Sequence, residues 1–346
     1  MNVLGLITSP TDPASRFRLL QFMTFLKKQE VLVETWYSSP TKDSSPADWT
    51  KKVEEWTSID PWRTWNVIQN ITRLPILLTQ FDFDAIWQSR MLLPYLFKAD
   101  KLIQKPVVFD IDDAIWINEG KTEVADALAD STKVFAGNEY LAEWCRQHNK
   151  NTLLIPTTVD IEKYFPLEKQ DDFFSVGWIG TPSNFKYLEL AAPAIRQLLS
   201  QMPGARIVIV SSEAPAFFSF DEKQFVFRKW EAEKENELIN QFDVGIMPLP
   251  DDEWTRGKCG FKLLQYMACS KPVIASPVGM NEKLLSTGTG LAATNEADWL
   301  NALQVMYHDK ALREECGTKG RQLVTQHYNA SSWSSAIASE LKSLIS

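Results

Sequence analysis

Short apolar runs alternate with helical patterns along most of the chain, and this alternation occurs twice. The runs are rich in β-branched residues and nearly continuous, which is typical of strands buried on both faces of a parallel sheet. The predicted strands are residues 2–7, 31–37, 84–89, 106–111, 133–138 and 151–156 in the first half, and 174–180, 206–212, 225–230, 243–249, 272–276 and 290–294 in the second. The pattern therefore predicts an α/β protein with two doubly wound parallel sheets.

The helical patterns between these strands cover residues 16–29, 139–148, 187–201, 234–241 and 261–269. A charged stretch that contains a proline, 158–173, separates the two sets of strands and is the predicted linker. We predict an N-terminal domain over 1–160, a C-terminal domain over 161–325, and a final amphipathic helix within 326–346 that packs on the domains. Two doubly wound domains that face each other would bind a ligand in a central cleft between the carboxyl ends of their strands.

Composition narrows the range of ligands and locations. The chain has 346 residues, of which 45% are hydrophobic and 23% charged, and its net charge is −8. The acidic balance argues against a nucleic-acid partner, so any anion site is expected to be a local basic pocket. No run is apolar enough to span a membrane, and the first residues lack the pattern of a secretory signal, so we expect a cytoplasmic protein. The scattered cysteines and histidines predict no zinc site.

The segment 251–282 is the part of the sequence that says most about function. The predicted strand 243–249 leads into a loop with Arg256, Lys258 and Lys262, then a helix, a strand and a glycine turn. Arg256 and Lys258 would project to one side if this loop is extended. A strand, a cationic loop and a helix start are suited to hold a polyphosphate at the carboxyl edge of a parallel sheet. The alternative is that these cations are solvated side chains near the start of a helix.

The same segment resembles a known family. Residues 257–282 read GKCGFKLLQYMACSKPVIASPVGMNE, which is similar to the pattern EGFGxxxxEAMACGxPVVASxxGGxxE of GT4-like glycosyltransferases (family 4, group 1). Residues 136–160 and 176–195 resemble other segments of that family. The resemblance implies the GT-B fold, in which two Rossmann-like domains face a central cleft. The family's paired glutamates fall here on Gly257 and Gln265, so this chain carries a variant of the motif.

The resemblance also implies an activity and a set of site residues. Members move a sugar from a nucleotide-diphosphate donor, here UDP- or GDP-linked, to a glycan or lipid-linked acceptor, with retention and without a metal or other cofactor. Arg256 and Lys262 would be catalytic, because they could neutralise the charge that grows on the diphosphate as the sugar bond breaks. The positions that match the family's donor-binding segments are Gly180, Thr181, Lys186, Lys258, Gln265, Gly279, Met280 and Asn281. The glycine after strand 174–180 could also form only a turn.

Further candidates lie in the N-terminal half. Ser15, Arg16 and Arg18 follow the first strand, where the family's N-terminal loop meets donor or acceptor. An ordinary surface charge is the alternative for Arg18. Asp112 and Asp113 align with the family's His-Asp pair, and a carboxylate there could accept the acceptor hydroxyl's proton. The alternative for one of them is a cap of the following helix.

Two questions stay open at the level of the sequence. The segment 49–81 combines tryptophans with lysines and arginines, which is compatible with peripheral membrane contact or with an N-domain helix whose tryptophans are buried. The altered glutamate pair also favours a second function, a catalytically silent GT-B protein that only binds a nucleotide or sugar. A third possibility is a phosphorylase or epimerase that acts on a sugar phosphate or nucleotide sugar.

Overall fold

The structure is a computed structural model, described for residues 1–37, 54–56, 64–65, 68, 71, 74–92, 99–215 and 223–345. The chain divides into two compact units. Unit 1 comprises Met1–Thr157 together with Ala330–Ser346, and unit 2 comprises Thr158–Asn329. The final segment thus belongs to unit 1, although unit 2 precedes it in the chain.

All twelve predicted strands are present, and each end lies within two residues of its predicted position. In unit 1 they are β1 Asn2–Ile7, β2 Leu32–Tyr37, β3 Ala85–Gln88, β4 Val107–Ile111, β5 Lys133–Ala136 and β6 Thr152–Leu154. In unit 2 they are β7 Phe174–Ile179, β8 Ala205–Ser211, β9 Phe225–Lys229, β10 Val244–Met247, β11 Val273–Ala275 and β12 Gly290–Ala292. All neighbouring strands in the two sheets pair in parallel, so the predicted parallel α/β architecture is confirmed.

The described strands of unit 1 form one six-stranded sheet in the order β2-β1-β3-β4-β5-β6. Its helices are α1 Pro13–Arg18, α2 Met23–Lys27, α3 Ile76–Thr79, α4 Trp116–Glu119, α5 Lys121–Asp130, α6 Glu139–Arg146 and, from the end of the chain, α15 Ala330–Lys342. Ile337 and Leu341 of α15 are buried with Phe22, Leu26 and Trp87 in one core cluster. The last helix therefore completes the core of unit 1.

Unit 2 has a six-stranded sheet among its described residues, in the order β12-β11-β10-β7-β8-β9. Its helices are α7 Phe185–Leu188, α8 Ala192–Gln201, α9 Glu235–Asn240, α10 Glu253–Arg256, α11 Phe261–Ala268, α12 Met280–Leu285, α13 Glu296–His308 and α14 Lys310–His327. The main core cluster packs α8 and α13 against one face of this sheet, through residues such as Ile195, Leu198, Trp299 and Leu303.

Two predicted helices are wrong as continuous elements. The helix predicted over 16–29 begins earlier, because Asp12 caps α1 and Pro13 occupies its first position, and it breaks at Leu19. A 3₁₀ turn, Leu20–Phe22, follows, and the break buries Leu19 and Phe22 in the core. The helix predicted over 187–201 is α7 and α8, because the proline in the first turn of α8 has no N–H to continue the ladder from the preceding turn.

Much of the segment 49–81, which we considered for membrane contact, lies outside the described residues. Within the described part of the chain, no helix has the length and apolar character needed to cross a bilayer. Trp56, one of the described tryptophans of that segment, is 89% exposed. The interpretation that its tryptophans are all buried is therefore wrong for this one.

Candidate functional site

Unit 2 has a topological switch point between β7 and β10. These neighbouring strands pair in parallel at Val244↔Val176 and Gly245↔Gly177, but the chain continues from them to opposite sides of the sheet. The connections that follow the two strands therefore diverge and leave a crevice at the carboxyl edge, which is where open α/β sheets bind ligands. Gly180 directly follows β7, and the segment 248–260 follows β10.

The segment after β10 is not the extended loop that would place Arg256 and Lys258 on one side. Asp252 caps the short helix α10, and Thr255 closes a capping box with it. Arg256, at the end of this turn, is half exposed, and its Nε lies 2.6 Å from Oδ1 of Asp251. The hydrogen bond from Arg256 lowers the pKa of Asp251. The Lys258 ammonium instead lies 5.2 Å from the ring centroid of Trp254.

Two glycines allow this segment to pack against the turn after β11. Gly279 has φ +54°, and a Cβ there would lie 2.6 Å from the backbone oxygen of Arg256. Gly260 has φ +66°, and its Cβ would lie 3.2 Å from Cγ of Met280. Both backbone conformations favour glycine. The close approach brings Arg256, Gly279 and Met280, three of the predicted site residues, to one place.

Lys262 connects this place to the end of β7. It lies in the first turn of α11, and its Nζ is 5.6 Å from the ring centroid of Trp178. A Cβ on Gly180 would lie 2.8 Å from Cε of Lys262. The ammonium is thus held at the switch point, beside the first residue after β7.

The other predicted residues near the end of β7 make local contacts. The Thr181 hydroxyl lies 3.0 Å from that of Ser183, and it accepts a hydrogen bond from Nδ2 of Asn184 at 2.8 Å. Lys186 is exposed, and its ammonium lies 5.2 Å from the ring centroid of Tyr187. Thr181 therefore lies in the segment that contains Gly180, whereas Lys186 contacts a ring of its own helix.

Gln265 and Asn281 are both buried but differ in how their amides are satisfied. Asn281 donates from Nδ2 to the backbone oxygen of Ser276 and from its backbone N–H to Val278, so it stabilises the glycine turn. Gln265 is 2% exposed, and its Nε2 has no hydrogen-bond partner within the described residues. An unsatisfied buried donor costs roughly 1–3 kcal/mol, so an acceptor that reached this amide would stabilise the site.

The switch point of unit 1 lies between β1 and β3, and Ser15, Arg16 and Arg18 belong to helix α1, which follows β1. Ser15 is buried, donates its hydroxyl hydrogen to Oδ2 of Asp12 at 3.2 Å, and accepts from the backbone N–H of Thr8. Arg16 is partly buried, with Cζ 4.7 Å from the ring centroid of Phe17. Ser15 therefore stabilises the connection between β1 and α1, and Arg16 is the more accessible of the two arginines.

Arg18 forms an internal ion pair. It is 2% exposed, its Nε lies 2.7 Å from Oδ1 of Asp110, and its Nη1 donates to the backbone oxygen of Ile155. Trp87 donates to the other oxygen of Asp110 at 3.1 Å. Burial raises the pKa of Asp110, while the charge and hydrogen bond of Arg18 act in the opposite direction. The alternative that Arg18 is a surface charge is therefore wrong.

Asp112 and Asp113 follow β4 and are partly buried. Helix α4 begins at Trp116, and its N-cap residue is Ile115. Burial, and then the charge of Asp113, raises the pKa of Asp112 to about 7, against the lowering effect of Arg90 and Arg18. This carboxyl group is therefore tuned to change protonation near neutral pH.

Arg90 is a functional candidate that the sequence analysis missed. It is the second residue after β3, and its Nη1 lies 3.4 Å from Oε1 of Glu119. Burial tends to lower the pKa of Arg90, but the charges of Glu119, Asp112 and Asp113 outweigh it and raise the pKa. Its place beside the switch point is the signal that could have identified it. Neither here nor elsewhere in the described residues is a group of three or more His, Cys, Asp or Glu side chains arranged to hold a metal ion.

Comparisons with known proteins bear on the family and the fold of this chain. Residues 171–309 match the model of the family described as "Glycosyl transferases group 1". No protein with a curated function has a matching sequence. Sucrose-phosphate synthase of Thermosynechococcus elongatus has a similar structure, with a TM-score of 0.76 and 14% identity over 99% of both chains.

Two further solved structures are similar over nearly the whole chain. Alr3699/HepE of Anabaena, crystallised with UDP and glucose, has a TM-score of 0.70 and 16% identity over 99% of this chain and 100% of its own. A glycosyltransferase of Rickettsia africae has a TM-score of 0.69 and 10% identity over 99% of this chain and 98% of its own. These likenesses show the fold, and the family match covers most of unit 2. The chain therefore has the GT-B fold, and its residues 171–309, fewer than half of the chain, match the model of group 1 glycosyltransferases.

Proposed function

We propose that this chain transfers a sugar from a UDP-linked donor to a glycan or glycolipid acceptor. The observation that carries the proposal is the position of Lys262, whose aliphatic chain lies next to Gly180 at the switch point of unit 2. Arg256 and the glycine turn at Gly279 pack together on the adjoining segment. A cation, close backbone approach and a helix start at one sheet edge are suited to a diphosphate.

The proposed chemistry is the stabilisation of a leaving group. As the bond between the sugar and the diphosphate breaks, negative charge grows on the phosphate oxygens, and fixed cations lower the energy of that state. Lys262 supplies one charge from the first turn of α11, where the helix dipole disfavours a cation. A bound diphosphate would remove this conflict. Arg256 supplies a second charge, since its ion pair with Asp251 is exposed and can exchange for a phosphate.

The nucleotide is proposed from similar proteins and from the site. HepE of Anabaena has been crystallised with UDP-glucose, and the MnaA protein of Staphylococcus aureus with UDP. The unsatisfied amide of Gln265 offers a donor to a sugar or ribose oxygen. UDP is therefore the first candidate and GDP the second.

We propose that the acceptor binds through unit 1. Asp112, whose pKa is raised to about 7, would accept the proton of the acceptor hydroxyl, and Asp113 would hold a neighbouring hydroxyl group. The reaction is proposed to retain the anomeric configuration and to need no metal. The anomeric configuration of the product can be assigned by NMR once an acceptor is known. Full activity in excess EDTA would support metal independence.

The second candidate is a silent binding protein, and one observation favours it. Gly257, at the position of the first family glutamate, is buried and has no side chain that could touch a sugar. In that case the site would bind a nucleotide without turnover.

A nucleotide panel separates the two candidates. Thermal shift with UDP, GDP, ADP, CDP and TDP should give the largest rise in Tm with UDP, because binding to the folded state raises apparent stability. Nucleotide release from the UDP-sugars that bind is then measured with glycan and lipid-linked acceptors. Release that depends on acceptor supports the transferase, whereas binding without release across the panel supports the silent protein. Absence of any nucleotide-dependent shift would contradict both.

A further inference from the structure

Helix α11 contacts the end of β7 through two side chains that lie one turn apart. The Lys262 ammonium lies 5.6 Å from the ring centroid of Trp178, the penultimate residue of that strand. The Tyr266 hydroxyl accepts a hydrogen bond from the backbone N–H of Ile179 at 3.1 Å. Residues at i and i+4 project from the same side of a helix, so both contacts belong to one face of α11.

Paired glycines let this face of α11 lie close to the sheet. Gly177 of β7 and Gly245 of β10 are direct partners in the ladder. A Cβ on Gly245 would lie 2.3 Å from the ring of Tyr266, and a Cβ on Gly177 would lie 2.0 Å from the ring of Phe242. Because both positions are glycines, no side chain of the sheet occupies the place where the Tyr266 ring lies over β10 and reaches β7.

Trp178 is itself held firmly. It is 2% exposed, and its ring lies 5.4 Å from that of Phe185, which is also buried. A Cβ on Gly180 would lie 2.6 Å from the Trp178 ring and 2.8 Å from Cε of Lys262, so the glycine leaves room for both. The indole thus forms a fixed support beside a flexible lysine.

We propose that Trp178 and Tyr266 are positioning residues, which fix the first turn of α11 at the end of β7 so that the Lys262 ammonium is held where the donor diphosphate binds. This inference rests on the proposed function. A lysine side chain has many rotamers in water, and restricting them before binding reduces the entropy lost when the ligand arrives. The face of an indole attracts an ammonium, and the Tyr266 hydrogen bond prevents α11 from sliding along the sheet.

The proposal is tested by combining substitutions with Lys262→Ala. Trp178→Leu and Tyr266→Phe are each made in the wild-type chain and in the Lys262→Ala chain, and the dissociation constant of UDP is measured by calorimetry. We expect Trp178→Leu to weaken UDP binding about tenfold and Tyr266→Phe several-fold in the wild-type chain. In the Lys262→Ala chain, both should have little further effect. Trp178→Phe, which keeps a ring, should restore most of the affinity.

Phe185→Leu is the matched control, because it removes an aromatic ring next to Trp178 but leaves in place the indole that Lys262 contacts. Its effect on UDP binding should be the same with and without Lys262. If Trp178→Leu and Tyr266→Phe also change the UDP dissociation constant by the same factor in both chains, the two residues only stabilise the core, and the inference is wrong. If Trp178→Leu does not fold, the Tyr266→Phe pair decides. Loss of the Lys262→Ala effect itself would instead contradict the proposed function.

Discussion

The two sheets of this protein have the same parallel architecture, but the cations at their switch points differ in burial and in interaction partners. In unit 1 the arginine after β1 is buried against a carboxylate, with 2.7 Å between Arg18 and Asp110, and Arg90 pairs with Glu119. In unit 2 the lysines after β10 lie against tryptophan rings, and Arg256 has an exposed partner. The charges of Arg18 and Arg90 in unit 1 are thus neutralised by carboxylates of the fold, whereas the cations of unit 2 have the accessible arrangement that the proposed diphosphate site requires.

This difference has a physical consequence for any ligand. A buried ion pair is costly to separate, because each charge would be left in a medium that solvates it poorly. Cations on indole faces or in exposed pairs can bind a phosphate at little cost. We therefore expect substitutions of cations to affect mainly folding in unit 1 and mainly ligand binding in unit 2.

The largest effect is expected for Arg18→Met. Removing the guanidinium leaves Asp110 buried without its ionic partner, so the free energy of unfolding should fall by about 3–5 kcal/mol, as measured by urea denaturation. Arg146→Ala is the control, since Arg146 pairs with Glu139 on the surface and should change stability by less than about 0.5 kcal/mol. Equal effects of the two substitutions would contradict the buried pair.

Lys262→Ala is expected to give the opposite pattern. Loss of the ammonium should lower kcat/KM for the UDP-sugar about 100- to 1,000-fold, while the free energy of unfolding changes by less than about 1 kcal/mol. Lys310→Ala, which removes a largely exposed lysine paired with Glu314, is the control and should leave kcat/KM unchanged. A large loss of stability with unchanged kcat/KM would assign Lys262 to the fold.

A smaller effect is expected for Gly279→Ala, which tests the close contact between the turn and Arg256. The backbone at φ +54° and the short approach to the Arg256 oxygen should together cost about 1–3 kcal/mol of stability. The UDP dissociation constant should rise at the same time, because the turn and Arg256 would separate. Gly204→Ala is the control, since a Cβ there meets only the Tyr307 hydroxyl at 3.5 Å.

The strands and their parallel arrangement were predictable because the apolar runs are long and β-branched, and burial on both faces leaves a clear signal. The helices at 16–29 and 187–201 were less predictable, because their breaks depend on Asp12, Leu19 and one proline in tertiary context. The conformation of Arg256 was missed because Asp252 and Thr255 form a capping box, which converts the expected loop into a helical turn.

Long-range partners were the hardest part of the site to predict. Nothing near Arg18 in the sequence indicates Asp110, and Arg90 was not considered because its neighbours come from the segments after β1 and β4. Similarly, the pair formed by Lys262 and Trp178 joins two segments more than eighty residues apart in the chain. Sequence patterns locate the edge of each sheet, but which charged side chains contact one another there depends on the tertiary structure.

The smallest effect is expected in the pH dependence of activity and stability. Asp112 in unit 1 has a pKa raised to about 7, so it loses its proton only near neutrality. If Asp112 accepts the acceptor's proton, kcat/KM should fall as pH falls through about 7, since the protonated carboxyl cannot act as a base. Asp112→Asn should remove this inflection, and Asp113→Asn should move it to lower pH, because Asp113's negative charge is one cause of the shift.

Stability should change with pH in the opposite direction. A carboxyl group whose pKa is raised in the folded state contributes most below its unfolded pKa, and the contribution is lost as pH rises through the folded pKa. The wild-type free energy of unfolding should therefore decrease between about pH 4 and pH 7 relative to that of Asp112→Asn. Glu123→Gln, a change of an exposed carboxylate, is the control for both measurements. An activity profile that stays flat through pH 7 would assign proton transfer to another group and leave Asp112 a role in binding alone.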